Sequence, residues 1–224
     1  MGPVSTVAAP TRRRYIDWTR GLAVLIMIEA HALDAWTRSS SRSAPAYQYL
    51  SMLGGFAAPL FLWLAGLSLV LAAEHTFRRT GSRSTATEAI VRRGAEIFIL
   101  AFLFRLQAFV VSPGSWLVTI FRVDILNVMG PAIAVTGLVW GIAGSPTAAA
   151  LASAALAVTI AMATPLVRVA SWVEALPLWL QWYVRPFGDH TTFTLFPWAG
   201  FVLGGAAVGA LMATSDSPTA ERRI

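Results

Sequence analysis

Arg20 to Trp36 reads RGLAVLIMIEAHALDAW. Extended back to Ile16, this apolar stretch is long enough to cross a hydrocarbon core, which takes about 20 helical residues. It nevertheless carries three ionisable residues, Glu29, His31 and Asp34. An Asp at the centre of a membrane helix costs roughly 2.5 to 3.5 kcal/mol on the translocon scale. A segment with three such groups needs a reason. The default reason is a functional site that faces other helices or water.

The rest of the chain supports a membrane reading. Of 224 residues, 56% are hydrophobic and only 12% are charged, about half the share of a soluble domain. Mean hydropathy is +0.64. There is no cysteine, which excludes disulfides, thiolate chemistry and Cys-based zinc sites. The three histidines, at 31, 75 and 190, are too scattered for a metal motif. Net charge is +6, carried by seventeen arginines and no lysine. These arginines lie mainly at span ends, where they orient a membrane protein, so nucleic-acid binding is not implied.

Six apolar spans are predicted, at Ile16–Trp36, Leu53–Ala73, Glu96–Val111, Val123–Ala143, Thr147–Leu166 and Phe193–Met212. The fold class is therefore an all-α integral membrane protein, a bundle of about six transmembrane helices. Residues 12–212 form one domain, between tails at 1–11 and 213–224 that look disordered. Eleven arginines (12, 13, 14, 20, 78, 79, 83, 92, 93, 222 and 223) fall on one side, and five (38, 42, 122, 168 and 185) on the other. The positive-inside rule then puts both termini and the basic 74–93 loop in the cytoplasm. The region 167–192 is too polar to span. Its Trp172, Trp179, Trp182 and Tyr183 predict an extracytoplasmic interfacial helix plus loop. Gly205 and Gly209 stand in GxxxG register, a packing face. Arg12 to Ile16 loosely resembles a twin-arginine signal, with Ala30-His31-Ala32 as a cleavage site. Glu29 and His31 break the apolar run there, so cleavage is not expected.

Helical phase groups the polar residues. Asp17, Arg20, Val24, Met27, His31 and Asp34 follow spacings of three and four and form one stripe. His31 lies about 22 Å beyond Ile16, in the outer half of the bilayer. Glu29 points elsewhere and is expected to meet a different helix. Asp34 could hold the tautomer of His31. Arg105 and Asp124 are equidistant from the Gly114–Ser115 turn of a hairpin, so Arg105 can pair with Asp124 or bond to Asn127. That group is a packing ion pair, an anion clamp or an orienting group for His31. His31 could also be no more than an interhelical hydrogen-bonding residue, and Asp17 and Arg20 the polar start of a helix. His75 is expected in a solvated loop. Asp189 and His190 are expected in an interfacial one.

Arg14 to Ala23, RYIDWTRGLA, resembles the opening of transmembrane acyltransferases, in which a His follows the Arg by eleven residues, as His31 follows Arg20. FRVDILNVMG and TLFPWAGFVLGGAAVG are similar to the heparan-alpha-glucosaminide N-acetyltransferase catalytic-domain family and its bacterial relatives. The resemblance covers about residues 12–212. It implies transfer of an acyl group, acetyl in the family's name, from cytosolic acyl-CoA to an extracytoplasmic sugar or glycan. It implies no permanently bound cofactor and no metal. It also implies a multi-pass protein of the bacterial cytoplasmic membrane, with lipids, acyl-CoA and the acceptor as partners. A homo-oligomer is compatible with the sequence, but nothing specifies one. His31 would carry the chemistry as base or acyl carrier, with Asp34 and Glu29 beside it and Arg105 as oxyanion donor. Arg92, Arg93 and the N-terminal arginines would meet the donor's pyrophosphate. Larger members have ten or more spans, and the eukaryotic acceptor-binding elements have no match. A small transporter and a non-catalytic scaffold are the competing classes. An enzyme needs His31 exposed to a cavity reachable from both faces, whereas a scaffold would pack it shut.

Overall fold

The computed structural model describes residues 13–112, 114, 116–188, 191 and 193–214. The tail at 1–11, most of that at 213–224, and Asp189 and His190 lie outside the described residues. The chain divides into two compact units, Met1–Ala57 and Ala58–Ile224.

The first unit is a helical hairpin. Helix α1, Arg14–Trp36, is followed by a 3₁₀ turn at Ser39–Ser41 and by α2, Pro45–Gly54. Pro45 opens α2 at its first turn, where a missing N–H costs nothing. The two helices pack on each other. A Cβ at Gly54 would lie 2.8 Å from Ala30 Cβ, so this close approach needs glycine.

The second unit holds α3 (Ala57–Thr80, whose first residue closes the first unit), α4 (Arg83–Val111), α5 (Ile125–Ile142), α6 (Pro146–Val169), α7 (Leu178–Val184) and α8 (Leu195–Ala213). Short 3₁₀ turns occupy Leu117–Phe121 and Ser171–Ala175. Among the described residues there is no strand, only an isolated parallel bridge between Val123 and Thr191. Five stretches are long and apolar enough to cross a membrane: Pro45–Thr80, Arg83–Val111, Ile125–Ile142, Pro146–Val169 and Leu195–Ala213. The protein is therefore an all-α membrane protein. The sixth expected span corresponds to α1, which has the length, 23 residues, but carries Asp17, Arg20, Glu29 and Asp34 along it.

Local chemistry sets the helix ends. Gly81 turns the chain after α3 with φ +68°, and its N–H bonds to Phe77 O at 2.8 Å. Ser82 then caps α4, its Oγ accepting from Thr85 N–H at 3.2 Å. The expected 74–93 loop is accordingly not a loop. His75 lies within α3, and α4 begins at Arg83 and continues past Arg92 and Arg93. Both helices extend beyond the apolar window that hydropathy detects. Ser145 caps α6 in the same way, accepting from Ala148 N–H at 3.1 Å, with Pro146 next to it. The bundle thus has a turn end, where α3, α5 and α8 finish and α4 and α6 begin. The opposite end carries α7, the finish of α4 and α6, and the start of α5 and α8.

Close packing relies on small residues. The pairs α4 with α5 and α6 with α8 are the most extensive. A Cβ at Gly94 would fall 2.6 Å from Gly130 O. The GxxxG pair is a packing face, as expected: Gly205 and Gly209 lie on the backbone of α3 at Trp63 and Leu67. Leu62, Val70, Ile133, Trp140, Val202 and Ala206 fill the core.

The segment 167–192 departs from its predicted role in part. Trp172 and Trp179 are 55% and 44% exposed, as interfacial residues would be. Trp182 and Tyr183 are buried instead, packed with Val123 and Val128. The short α7 turns these two aromatics inward while Leu178 and Trp179 face out.

Candidate functional site

Arg20 and Asp17 make an i,i+3 pair at 3.8 Å. One face higher, His31 Nδ1 lies 2.7 Å from Met27 O, one helical turn back. A carbonyl only accepts, so Nδ1 carries a proton, and in the neutral ring Nε2 holds the lone pair. The ring is exposed. Asp34 does not hold the imidazole. Its carboxylate pairs with Arg42 at 3.4 Å, and Arg42 Nη2 also donates to Asp34 O at 2.7 Å. The reason is local. Asp34 sits at the C-terminal end of α1, where a carboxylate is disfavoured by the helix dipole and free carbonyls attract a cation. Arg42, returning from the following turn, serves both. Glu29 leaves the stripe, as its phase predicts, and its Oε2 lies toward Gly54 of α2. Both of its carboxylate oxygens are buried without a hydrogen-bond partner. A buried carboxylate left unpaired is unusual enough to mark a site.

The second unit concentrates polar groups at its α7 end. Arg105, near the end of α4, forms an ion pair with Asp124, with side-chain exposures of 20% and 32%. This is the pairing expected from their equal distance to the turn. Asp124 is also the N-cap of α5. Asn127 closes a capping box with it, Oδ1 accepting from Asp124 N–H at 3.0 Å. Asn127 therefore braces the helix start rather than binding Arg105. Arg122 lies near enough to act electrostatically on Arg105. Arg168 donates to Phe196 O at 3.0 Å, and Arg185 to Ala170 O at 3.1 Å. Arg185 also pairs with Glu174 at 3.6 Å.

Sequence reading missed the inner face of α7 here. The Tyr183 phenol is held above its usual range by burial, an effect that a side-chain hydrogen bond with Asn127 partly offsets. Thr191 Oγ1 is buried there without a hydrogen-bond partner. The only signal was the helical phase that separates Trp179 from Trp182 and Tyr183, and it is weak over seven residues.

The arginines at the turn end are largely engaged in structure. Arg83 donates from Nε and Nη2 to Trp140 O at 3.2 and 3.0 Å, at the C-terminal end of α5, and stacks over the Trp140 ring at 4.3 Å. Arg78 Nη2 donates to Ala213 O at 2.6 Å, at the end of α8. Each complements a helix dipole. Arg92 and Arg93 share Glu96, at 3.7 and 3.2 Å, on the exposed side of α4. No cluster of three or more potential metal ligands occurs among the described residues.

A family model described as heparan-alpha-glucosaminide N-acetyltransferase, catalytic, matches residues 12–222, nearly the whole chain. No curated protein and no solved structure match it.

Proposed function

The chain belongs to the heparan-alpha-glucosaminide N-acetyltransferase catalytic family, and from that membership we propose a membrane-embedded acyltransferase. It moves an acyl group from cytosolic acyl-CoA to an extracytoplasmic sugar or glycan. It sits in the bacterial inner membrane with both termini cytoplasmic, the orientation favoured by its arginines. The observation that carries the reading is the bond between His31 and the Met27 carbonyl.

That bond leaves Nε2 of the neutral ring with a lone pair able to take a proton. As general base, Nε2 takes the proton of the acceptor's N–H or O–H while that atom attacks the thioester carbonyl. The C–S bond breaks, and the CoA thiolate leaves and takes up a proton. As acyl carrier, Nε2 itself attacks the thioester and expels the CoA thiolate, and in a second step the acceptor displaces the imidazole and gives its proton to the freed Nε2 or the thiolate. In either course the ring gains positive charge, which the Met27 carbonyl dipole offsets. Glu29, two residues away, is a second proton acceptor in the same unit. Arg105 is engaged by Asp124, which favours its packing role over that of oxyanion donor. The His31 ring is exposed, which speaks against a scaffold that packs it shut.

The test uses membranes containing the full chain and radiolabelled acetyl-CoA. Label should reach an added amino-sugar acceptor, and His31→Ala should abolish transfer while membrane insertion is retained. Label on the protein in the absence of acceptor distinguishes carrier from base. Full activity in His31→Ala would refute the assignment.

A further inference from the structure

Contacts fix the depth of α4 against α5. Arg83 donates to Trp140 O at one end, and Arg105 pairs with Asp124 at the other. Between them, a Cβ at Gly141 would meet Thr87, one at Gly137 would meet Ile90, and one at Gly94 would meet Gly130 O. Residues 83–105 of α4 therefore run beside the whole of α5. The 18 residues of α5 span about 27 Å, close to the thickness of a hydrocarbon core. α5 has no charged residue, and α6 has none before Arg168. Both expose large apolar side chains along this depth, Val135 and Val158 among them, as a lipid-facing surface does.

α4 does not match them. Glu88, Arg92 and Glu96 follow spacings of four on the face opposite the buried Ala86, Ile90, Gly94 and Ile97, with Arg93 beside them. The side chains of Arg92, Arg93 and Glu96 are 75%, 61% and 51% exposed. Arg93 stands about 15 Å and Glu96 about 20 Å along the helix from Arg83. That is too deep for their side chains to reach the headgroups by snorkelling. Charged groups at such depth face protein or water, and these are open. Beyond Glu96 the same face turns apolar, with Ile99 and Leu103 exposed. We propose that this face of α4 borders a water-filled vestibule, open at the turn end of the bundle and closed between Glu96 and Ile99. Two arginines stand against two glutamates, so the wall selects for hydration rather than for ions of one sign. Water and hydrophilic solutes enter about 20 Å into a core about 30 Å thick.

The chain has no cysteine, so a single introduced one reports one position. Ala89→Cys and Ala95→Cys probe the wall, and Leu103→Cys the same face beyond it. Val135→Cys probes the lipid side at a similar depth, and Ser84→Cys is the reference at the turn end. All five positions are exposed, so the substitutions leave the packing intact. A cationic, membrane-impermeant methanethiosulfonate is applied to sealed vesicles of each orientation. The thiolate is the reacting form, and apolar surroundings suppress its ionisation. Ala89→Cys and Ala95→Cys should react from the side that modifies Ser84→Cys, within about tenfold of its rate. Leu103→Cys and Val135→Cys should react at least about 100-fold more slowly. The proposal is overturned if Ala95→Cys is as slow as Val135→Cys, because lipid or protein then lies against the wall. It is also overturned if Ala95→Cys reacts only from the opposite side. No acyl donor enters the assay, so its outcome stands apart from the acyltransferase reading.

Discussion

Asp124 has two jobs, and they can be separated by substitution. It pairs with Arg105 and it caps α5. Asp124→Asn removes the charge but keeps the cap, because Asn caps about as well as Asp. Arg105, set in the apolar body of α4, then loses its counter-ion. Breaking a fully buried pair costs about 3–5 kcal/mol, and an exposed one about 0–1. With exposures of 20% and 32%, this pair falls between, at about 2 kcal/mol. Arg105→Met should cost less, about 1 kcal/mol, because the orphaned carboxylate still has the helix dipole and Arg122 lies nearby. Asp124→Ala should cost about 3 kcal/mol, the extra loss being the cap. The double variant Asp124→Asn with Arg105→Met should cost less than the sum of the singles by about 1 kcal/mol or more. Unfolding in mixed detergent micelles, followed by circular dichroism, measures all four. If Arg105→Met costs as much as Asp124→Asn, or if the singles add, the asymmetric pairing argued here is wrong.

Gly205→Ala would place a Cβ 1.8 Å from Trp63 O, against about 3.3 Å for a tolerated carbon–oxygen contact, so the helices must part and stability should fall by about 3 kcal/mol or more. Gly204→Ala, whose Cβ would meet Trp63 only at 3.8 Å, should be nearly silent, and equal unfolding midpoints for the two would contradict the α3–α8 packing. The raised Tyr183 pKa has a consequence at high pH. The unfolded chain loses its tyrosine proton first, so stability is retained below about pH 10 and falls as pH rises toward the folded value. Tyr183→Phe should flatten that alkaline decline in a pH series of unfolding midpoints, and an unchanged slope would remove Tyr183 as its source. Cysteines introduced at Ser40 and Ser82 should react with an impermeant reagent from opposite sides of the membrane. Equal labelling from outside would invert or break the proposed topology.

The elements legible in the sequence were those written in side chains with a simple period. The apolar spans, the GxxxG face and the Arg105–Asp124 pair all follow from counting along helices and hairpins. The extension of α3 and α4 into charged sequence was not legible, because hydropathy falls at Arg78 and Arg92 while the helix is carried on by a glycine turn and a serine cap. Asp34 was assigned to His31 from spacing alone. The competing attraction, Arg42 folding back on the end of α1, depends on a turn whose path the residues do not announce. Trp182 and Tyr183 read as interfacial because aromatic content does not distinguish a helix face turned to headgroups from one turned to a core.

The hydrogen bond from His31 to Met27 has no side-chain partner. Its acceptor is a main-chain oxygen that every amino acid supplies. Replacing Met27 should therefore leave the protonation geometry of the ring untouched, and a substitution scan would find no residue responsible for it. The constraint is written in the pitch of α1. A one-residue insertion or deletion between positions 27 and 31 would keep it as well, because whichever residue then stands four before the histidine supplies the same oxygen, and only a break in the helix removes it. Drift at position 27 is then free with respect to the imidazole, while the continuity of the helix through this turn is fixed.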